Sequence, residues 1–450
     1  MKRETVKTLV LSFLIIVSLF FTWSIWTFQP TYDPIESMTY LETLKLSDDK
    51  REFSEVVKPQ QVFYHENKNT HYGADKQLDK IWKAMADWKL EEASDLSTRY
   101  SEAEFLQFIH GLDGRKKLEL VFSQTIPSKT FQSILDWETK EAVNKAFDRI
   151  IIPFDGVKTP TVYFVSTQGK LVYEVKMKHD VVTQLQGQYF SNAEEEGYPR
   201  YFANSFNKDA VLMLPEKKRV FNRFSYTFSN IDDEDFKQAL YNNPSYVSRG
   251  YNKSDSVYTD GSRRMVIEKD SGFSQITYTA GGKKDKTIEP ALSKVMEQSL
   301  DYLNSHGGWT DDYVFFGHSP DLEITLRMLI NNLPVFPSKE TPSIRTDIFQ
   351  EWGSTEIIRY ERPGYRTKRH SSQEPILLPD GKEILAMLTE SKGEMNINNV
   401  VRVFPAYELQ SSEDMNVIVN PVWYAETKSG NYRVIDDPKT LGGGRQDGLE

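Results

Sequence analysis

The chain has 450 residues, with 39% hydrophobic and 27% charged content, a formal charge of −10 and no cysteine. That balance suits folded domains rather than a disordered chain, and a net-acidic chain without a basic stripe argues against nucleic acid as a partner. The missing thiols exclude disulfide staples, thiol catalysis and thiolate metal sites.

The first element is the opening stretch MKRETVKTLVLSFLIIVSLFFTWSIWTFQP. Thr8 to Phe28 are 21 residues without a charge, a Gly or a Pro. At about 1.5 Å of rise per helical residue they match the ~30 Å hydrocarbon core of a bilayer. Lys2, Arg3 and Lys7 precede them, opposed only by Glu4. Residues 1–29 therefore predict a single-pass signal anchor in the cell membrane with its N-terminus in the cytoplasm. Trp23, Trp26 and Phe28 suit the far interface. A cleaved signal would need an apolar core of ~7–15 residues and a small-residue cleavage site, and WSIWTFQP is bulky. The bulk of the chain, carrying about −12 once the +2 of the first 29 residues is set aside, is expected to be extracytoplasmic.

The anchor carries six Ser or Thr residues. At about 100° per residue, Thr8, Ser12, Ser18 and Thr22 fall within an arc of about 120°, with Ile15, Leu19 and Trp26 on the same face. Small hydroxyl residues allow close approach and hydrogen bonds between membrane helices. The alternative is that each hydroxyl bonds back to its own helix at i−4. Both readings stay open at this stage.

Residues 30–186 form a first extracytoplasmic region. Asp75 opens a predicted helix through Leu90, with Leu78, Ile81, Trp82 and Met85 on one face. Ser101 and Glu104 form a capping-box pattern, Phe105, Leu106 and Ile109 follow, and Gly111 is a stop signal. Lys117–Ile126, Thr161–Val165 and Lys170–Met177 read as strands, without a regular βαβ rhythm. The polar segment Gln186–Gly197 reads as a linker.

Residues 187–310 form a central α+β region. Val220–Phe228 alternates as a strand, DDEDFKQAL opens a short helix, and SRRMVIEK and GFSQITYT pair. Pro290 then starts an amphipathic helix with Leu292, Val295, Met296, Ser299, Leu300 and Leu303 inward, ended by Gly307 and Gly308. Residues 311–450 form a third α+β region. Tyr313–Gly317, Ile324–Ile330 and Glu356–Tyr360 read as strands, and Asp380 and Glu383 cap a helix carrying Ile384, Leu385 and Leu388. Asn399–Pro405, Asn416–Thr427 and Tyr432–Ile435 form a meander, followed by a mobile tail. The last two regions share an element order that suggests similar domains.

The sequence carries no positive catalytic motif. No two histidines stand at i, i+4. His65 and His71, in HENKNTH, read as solvated loop side chains rather than a metal site. GxSxG, GxxxxGK[ST] and GxGxxG are absent. SDDK at Ser47–Lys50 is a polar turn, and Asp232–Asp235 lacks the EF-hand register and suits a helix N-terminus. No catalytic residue, metal or cofactor is expected.

The basic start MKRE, the anchor ending FTWSIWTFQPTYD and the three-part cysteine-free remainder resemble the YycH (WalH) family of Gram-positive bacteria. The resemblance implies a non-enzymatic regulator of the WalK–WalR (YycG–YycF) two-component system, which controls cell-wall metabolism. It also implies two partners, a WalK (YycG)-like sensor histidine kinase and a YycI (WalI)-like anchored protein. Contact would run through transmembrane helices and ectodomains. Two other readings remain, an anchored cell-wall hydrolase and a stand-alone extracytoplasmic ligand-binding module.

Overall fold

The computed structural model describes residues 3–27, 44–137, 144–155, 159–177, 181–206, 210–252, 255–270, 272–280, 291–354, 356–411 and 416–435. The chain divides into two units, Met1–Thr43 and Leu44–Glu450. In the first, a helix runs from Arg3 to Thr27. Its side chains are described for Arg3 and from Val6 to Thr22. Among the described residues, no helix is long and apolar enough to cross a membrane.

The second unit is a mixed fold made mostly of strands. Ten described strands form its first sheet. In chain order they are β1 (Gln61–Asn67), β2 (Thr70–Gly73), β3 (Lys89–Asp95), β4 (Lys117–Pro127) and β5 (Asp136–Trp137). Then come β6 (Ala146–Pro153), β7 (Thr161–Ser166), β8 (Leu171–Met177), β9 (Arg200–Asn204) and β10 (Leu212–Pro215). Across the sheet they lie in the order β10-β9-β2-β1-β4-β6-β7-β8-β3-β5. All neighbours along this path are antiparallel except β3 and β5.

Both faces of this sheet are covered, which explains its near-continuous apolar strands. On one face the helix Leu78–Met85 buries Leu78, Ile81, Trp82 and Met85, as its periodicity predicts. Trp82, Phe122, Phe131 and Phe164 continue that core as a chain of edge-on rings. On the other face the helix Glu102–Ile109 packs Phe105, Phe108 and Ile109 against Ile151, Tyr163, Val165 and Val172. Ser101 caps it, with Glu104 closing the capping box. Gly111 follows at φ +68, and a Cβ there would lie 2.3 Å from His65 Cγ. The stop signal is therefore also the point where the helix end is pressed onto β1.

Two expectations in this region are corrected. The helix predicted to Leu90 ends at Met85, and Lys89–Asp95 is a strand held between β8 and β5. Tertiary pairing overrides the helix-forming residues of KLEEAS. The predicted linker Gln186–Gly197 begins as the last turn of a helix, Val182–Tyr189, and then buries Phe190 and Ala193. Phe190 stacks on Tyr64 of β1 at 4.8 Å between ring centres. The chain then returns to the first sheet as β9 and β10, so this sheet takes strands from both sides of residue 186.

The second sheet has fourteen described strands from residues 219–434. From one edge it runs Ser248–Asn252, Asp255–Thr259, Arg264–Asp270, Phe273–Thr279, Ile357–Pro363, Asp347–Trp352 and Glu323–Ile330. Leu333–Pro337 follows and pairs in parallel with Val400–Ser411. Asn416–Thr427, Arg219–Asn230 and the edge strand Tyr365–Leu378 complete the path. Tyr313–His318 pairs with Glu323–Ile330, and Tyr432–Val434 with Asn416–Thr427. This sheet, too, takes strands from both sides of the sequence division at residue 310. The long edge strand has no counterpart in the sequence reading, because YRTKRHSSQEPILL lacks period-2 alternation.

Three helices in this part of the chain follow their sequence patterns. Asp232 caps Asp233–Leu240, and Asp380 with Glu383 forms a complete capping box on Gly381–Glu390. Leu292–His306 buries Val295, Met296, Ser299 and Leu303 and ends at Gly307, which has φ +67. A Cβ on Gly307 would stand 2.1 Å from the Ser47 carbonyl oxygen. The expected helix start at Pro290 and the tail after Ile435 lie outside the described residues.

Candidate functional site

Thr8, Ser12, Ile15, Ser18, Leu19 and Thr22 lie on one uninterrupted helix and are exposed. Trp26 belongs to the same helix, with its side chain outside the described residues. At Thr22 the hydroxyl donates to the Ser18 carbonyl at 2.8 Å. That is the i−4 bond a lone helix makes, so Thr22 has a partner in its own helix.

The densest polar site lies elsewhere, in the core of the first sheet. His65 on β1 and His71 on β2 are direct cross-strand partners rather than the solvated loop side chains expected from HENKNTH. They are 0% and 1% exposed. The alternation that buries Phe63 on β1 carries His65 to the same face. The two Nδ1 atoms meet at 2.8 Å, and His65 Nε2 lies 2.9 Å from Glu119 Oε2 on β4. Arg149 on β6 binds the other Glu119 oxygen and donates through Nε to Thr167 Oγ1 at 2.8 Å. His110, in the turn after the helix, brings Nδ1 to 3.8 Å from Glu119 Oε1. Lys117, also buried, is held by Asp113 at 2.7 Å and by the Phe108 carbonyl, above the Phe108 ring.

The charges in this cluster can be assigned. Burial pushes the Glu119 carboxyl up, but Arg149 and the neighbouring histidines outweigh it and hold it at about 2. Glu119 is thus a carboxylate that only accepts hydrogen bonds. Burial pushes His71 down to about 4 and His110 to about 3, and it lowers His65 against the pull of Glu119. With neutral rings, one hydrogen-bond order follows. His65 Nε2–H donates to Glu119, which leaves His65 Nδ1 to accept from His71 Nδ1–H. One proton serves the bond between the two rings, and His71 has a further backbone hydrogen-bond partner at Lys68. Among the described residues, no group of three or more His, Asp or Glu is placed to hold a metal ion.

A second polar core fixes the end of the helix Leu292–His306. Arg362, fully buried, donates to the carbonyls of Gly308 and Pro363, to the Tyr360 hydroxyl and to Thr310 Oγ1. His306 lies 3.0 Å from the same Tyr360 hydroxyl. Asp311 accepts from the Thr367 amide and hydroxyl through Oδ1, while Oδ2 is buried without a partner. Burial raises the Asp311 carboxyl to about 6. Thr367 lies near the start of the unforeseen edge strand, so Asp311 ties that strand to the turn after the helix.

Sequence reasoning missed both cores for one reason. His65, His71, His110, Glu119 and Arg149 come from four strands and a turn, with no spacing in the chain that marks them. One signal was available: KLELVF places Glu119 inside a run of apolar strand residues, where a charge needs a buried partner.

Comparison with known proteins gives a consistent result. The family model of the YycH protein N-terminal domain matches residues 4–192, and that of the YycH protein C-terminal domain matches residues 209–436. The two-component system WalR/WalK regulatory protein YycH of Bacillus subtilis (strain 168) is 29% identical over 459 residues, covering 98% of each chain. The crystal structure of YycH from Bacillus subtilis superposes with a TM-score of 0.75 at 24% identity. It covers 87% of this chain and 99% of that one, and at such identity it speaks for the fold.

Proposed function

Because the chain belongs to the YycH family, we propose that it is a membrane-anchored, non-enzymatic regulator of a WalK–WalR-like two-component system. The observation that carries this reading is the match along the whole chain to a protein named as a WalR/WalK regulator. The partner is then a WalK-like sensor histidine kinase, with a YycI-like anchored protein as a second. The anchor is the basic-flanked apolar segment Thr8–Phe28, and residues from Pro30 onward face the outside. Contact through the anchor uses the face of Thr8, Ser12, Ile15, Ser18, Leu19, Thr22 and Trp26. The titratable clusters of the large unit point inward and hold one another, which suits action by contact rather than by chemistry on a substrate.

The test is co-purification of the full-length chain from mild detergent, combined with a reporter of the response regulator. The kinase should co-purify, and deletion of the gene should change reporter output. Protease treatment of intact protoplasts should digest the region beyond Pro30. Survival of that region beside a digested external control would refute the orientation. Unchanged reporter output on deletion would refute the regulatory role.

A further inference from the structure

The large unit begins at Leu44, so any displacement of the first unit reaches it along the segment that follows. That segment is fastened to a helix more than half the chain away. The Leu46 amide donates to the His306 carbonyl at 3.1 Å, at the end of the helix Leu292–His306. Ser47 lies on Gly307, where only the missing Cβ leaves room for its carbonyl. At Arg51 one side chain holds both backbone groups. Asn304 Oδ1 accepts from the Arg51 amide and Asn304 Nδ2 donates to the Arg51 carbonyl, each at 2.9 Å. A side-chain amide is the group that can supply an acceptor and a donor together. The same Oδ1 accepts from Trp309 Nε1 at 2.7 Å, and the Arg51 guanidinium reaches Asp312 at 3.3 Å. Beyond the clasp, Ser54 accepts from Trp82 Nε1 at 2.9 Å. An apolar cavity of about 20 Å³ remains where Phe53, Val56 and Val57 meet Met296, Leu300 and Trp309, so packing under the segment is incomplete and its polar ties matter more.

We propose that residues 44–51 are a coupling strap: with Asn304 as its clasp, the strap passes displacement of the N-terminal unit to the turn 307–312 and on to the start of the edge strand Tyr365–Leu378. The far side of that turn carries the connection. Gly308 and Thr310 accept from the buried Arg362, and Asp311 accepts from the amide and hydroxyl of Thr367 in the edge strand. Arg366, next to Thr367, reaches back to the Leu46 carbonyl at 3.5 Å. The turn is therefore held by the strap on one side and by Arg362 and the edge strand on the other. Hydrogen bonds that share a holder strengthen or weaken together. The clasp supplies two discrete states, since Asn304 either holds both Arg51 groups or yields them to water.

The coupling is a property of the large unit; only its use in kinase control rests on the proposed function. The measurement is amide hydrogen exchange of the full-length chain in detergent micelles. Arg51→Pro removes the amide donor from the strap side and leaves the bond between Asn304 and Trp309 in place. Losing that one hydrogen bond should raise exchange at residues 46–50 by roughly fivefold or more. The rise should carry to 308–312 and 365–368 at about twofold or more, with 117–127 and 416–427 unchanged. Asn304→Ala, which opens the clasp from the helix side, should give the same pattern. A rise confined to the strap, or a uniform rise across residues 44–435, would overturn the coupling. If neither variant folds, exchange of the unaltered chain decides. The amides of Leu46, Arg51 and Thr367 should then share one opening constant, larger than that of residues 117–121. Three separate constants, or opening only together with 117–121, would overturn it as well. In cells, Arg51→Pro should shift the response-regulator reporter. Unchanged output from a chain that shows the exchange pattern would overturn the strap's regulatory use and leave the proposed function, which gene deletion tests, standing.

Discussion

Replacing Glu119 by Gln tests the buried cluster directly. The substitution keeps the side-chain shape but removes the fully buried negative charge that pairs most closely with Arg149, Asp148 lying further off at 3.7 Å. Glu119 is held at about 2 against an ordinary 4.5; at about 1.4 kcal/mol per unit this corresponds to roughly 3 kcal/mol of stability at neutral pH. Leaving one charge of a buried pair uncompensated costs about 3–5 kcal/mol in general, so the two routes agree. Because the folded carboxyl sits below its unfolded value, this contribution is complete above pH 4.5 and fades as pH falls toward 2. Urea denaturation of the full-length chain in micelles at pH 7.5, followed by tryptophan fluorescence, reports it. Trp82, Trp88 and Trp137 are buried in the same unit. Arg149→Met should lose a similar amount. The double variant, which buries no unpaired charge, should be more stable than the sum of the two by about 2 kcal/mol. A loss below about 1 kcal/mol for Glu119→Gln, or strict additivity, would refute the claim that the pair acts as one unit.

Three further outcomes are expected. Gly111→Ala combines a left-handed backbone with a Cβ 2.3 Å from His65 Cγ, so it should lose more than about 2 kcal/mol by denaturation, well above an ordinary Gly→Ala change. Asp311→Asn should stabilise the chain at pH 7.5 by up to about 3 kcal/mol, since burial raises its carboxyl from 3.8 to about 6. Its folded form binds more protons between those values, so the wild-type chain loses this stability as pH rises through that window, and denaturation at pH 4 should show little difference between the two. In the proposed anchor, Ser12, Ser18 and Thr22 changed together to Leu should reach the membrane normally yet lose pull-down of the proposed partners; single changes should be weak, because each such hydrogen bond averages ~0.6 kcal/mol. Ser24 and Thr27, off that arc, serve as the matched control, and equal pull-down from both variants would leave the contact to the large unit.

What the sequence determined by itself was local. Leu78, Ile81, Trp82 and Met85 face inward because helical period alone puts them on one side. Ser101 with Glu104, and Asp380 with Glu383, start helices because the capping bonds span three residues. The hairpin of β7 and β8 and the pair Arg264–Asp270 and Phe273–Thr279 follow from alternation and a short turn. The family resemblance, too, was legible in the chain. Only the tertiary structure decided what depends on partners distant in sequence. It made a strand of KLEEASD, because β8 and β5 offered unpaired edges. It returned the chain after Phe190 to the first sheet as β9 and β10, and it closed one sheet from residues on both sides of 310. It turned His65 and His71 from apparent loop residues into a buried pair over Glu119, 54 residues beyond His65. A polar side chain reads as solvated until its buried partner is known, and that partner comes from strands that only folding brings together.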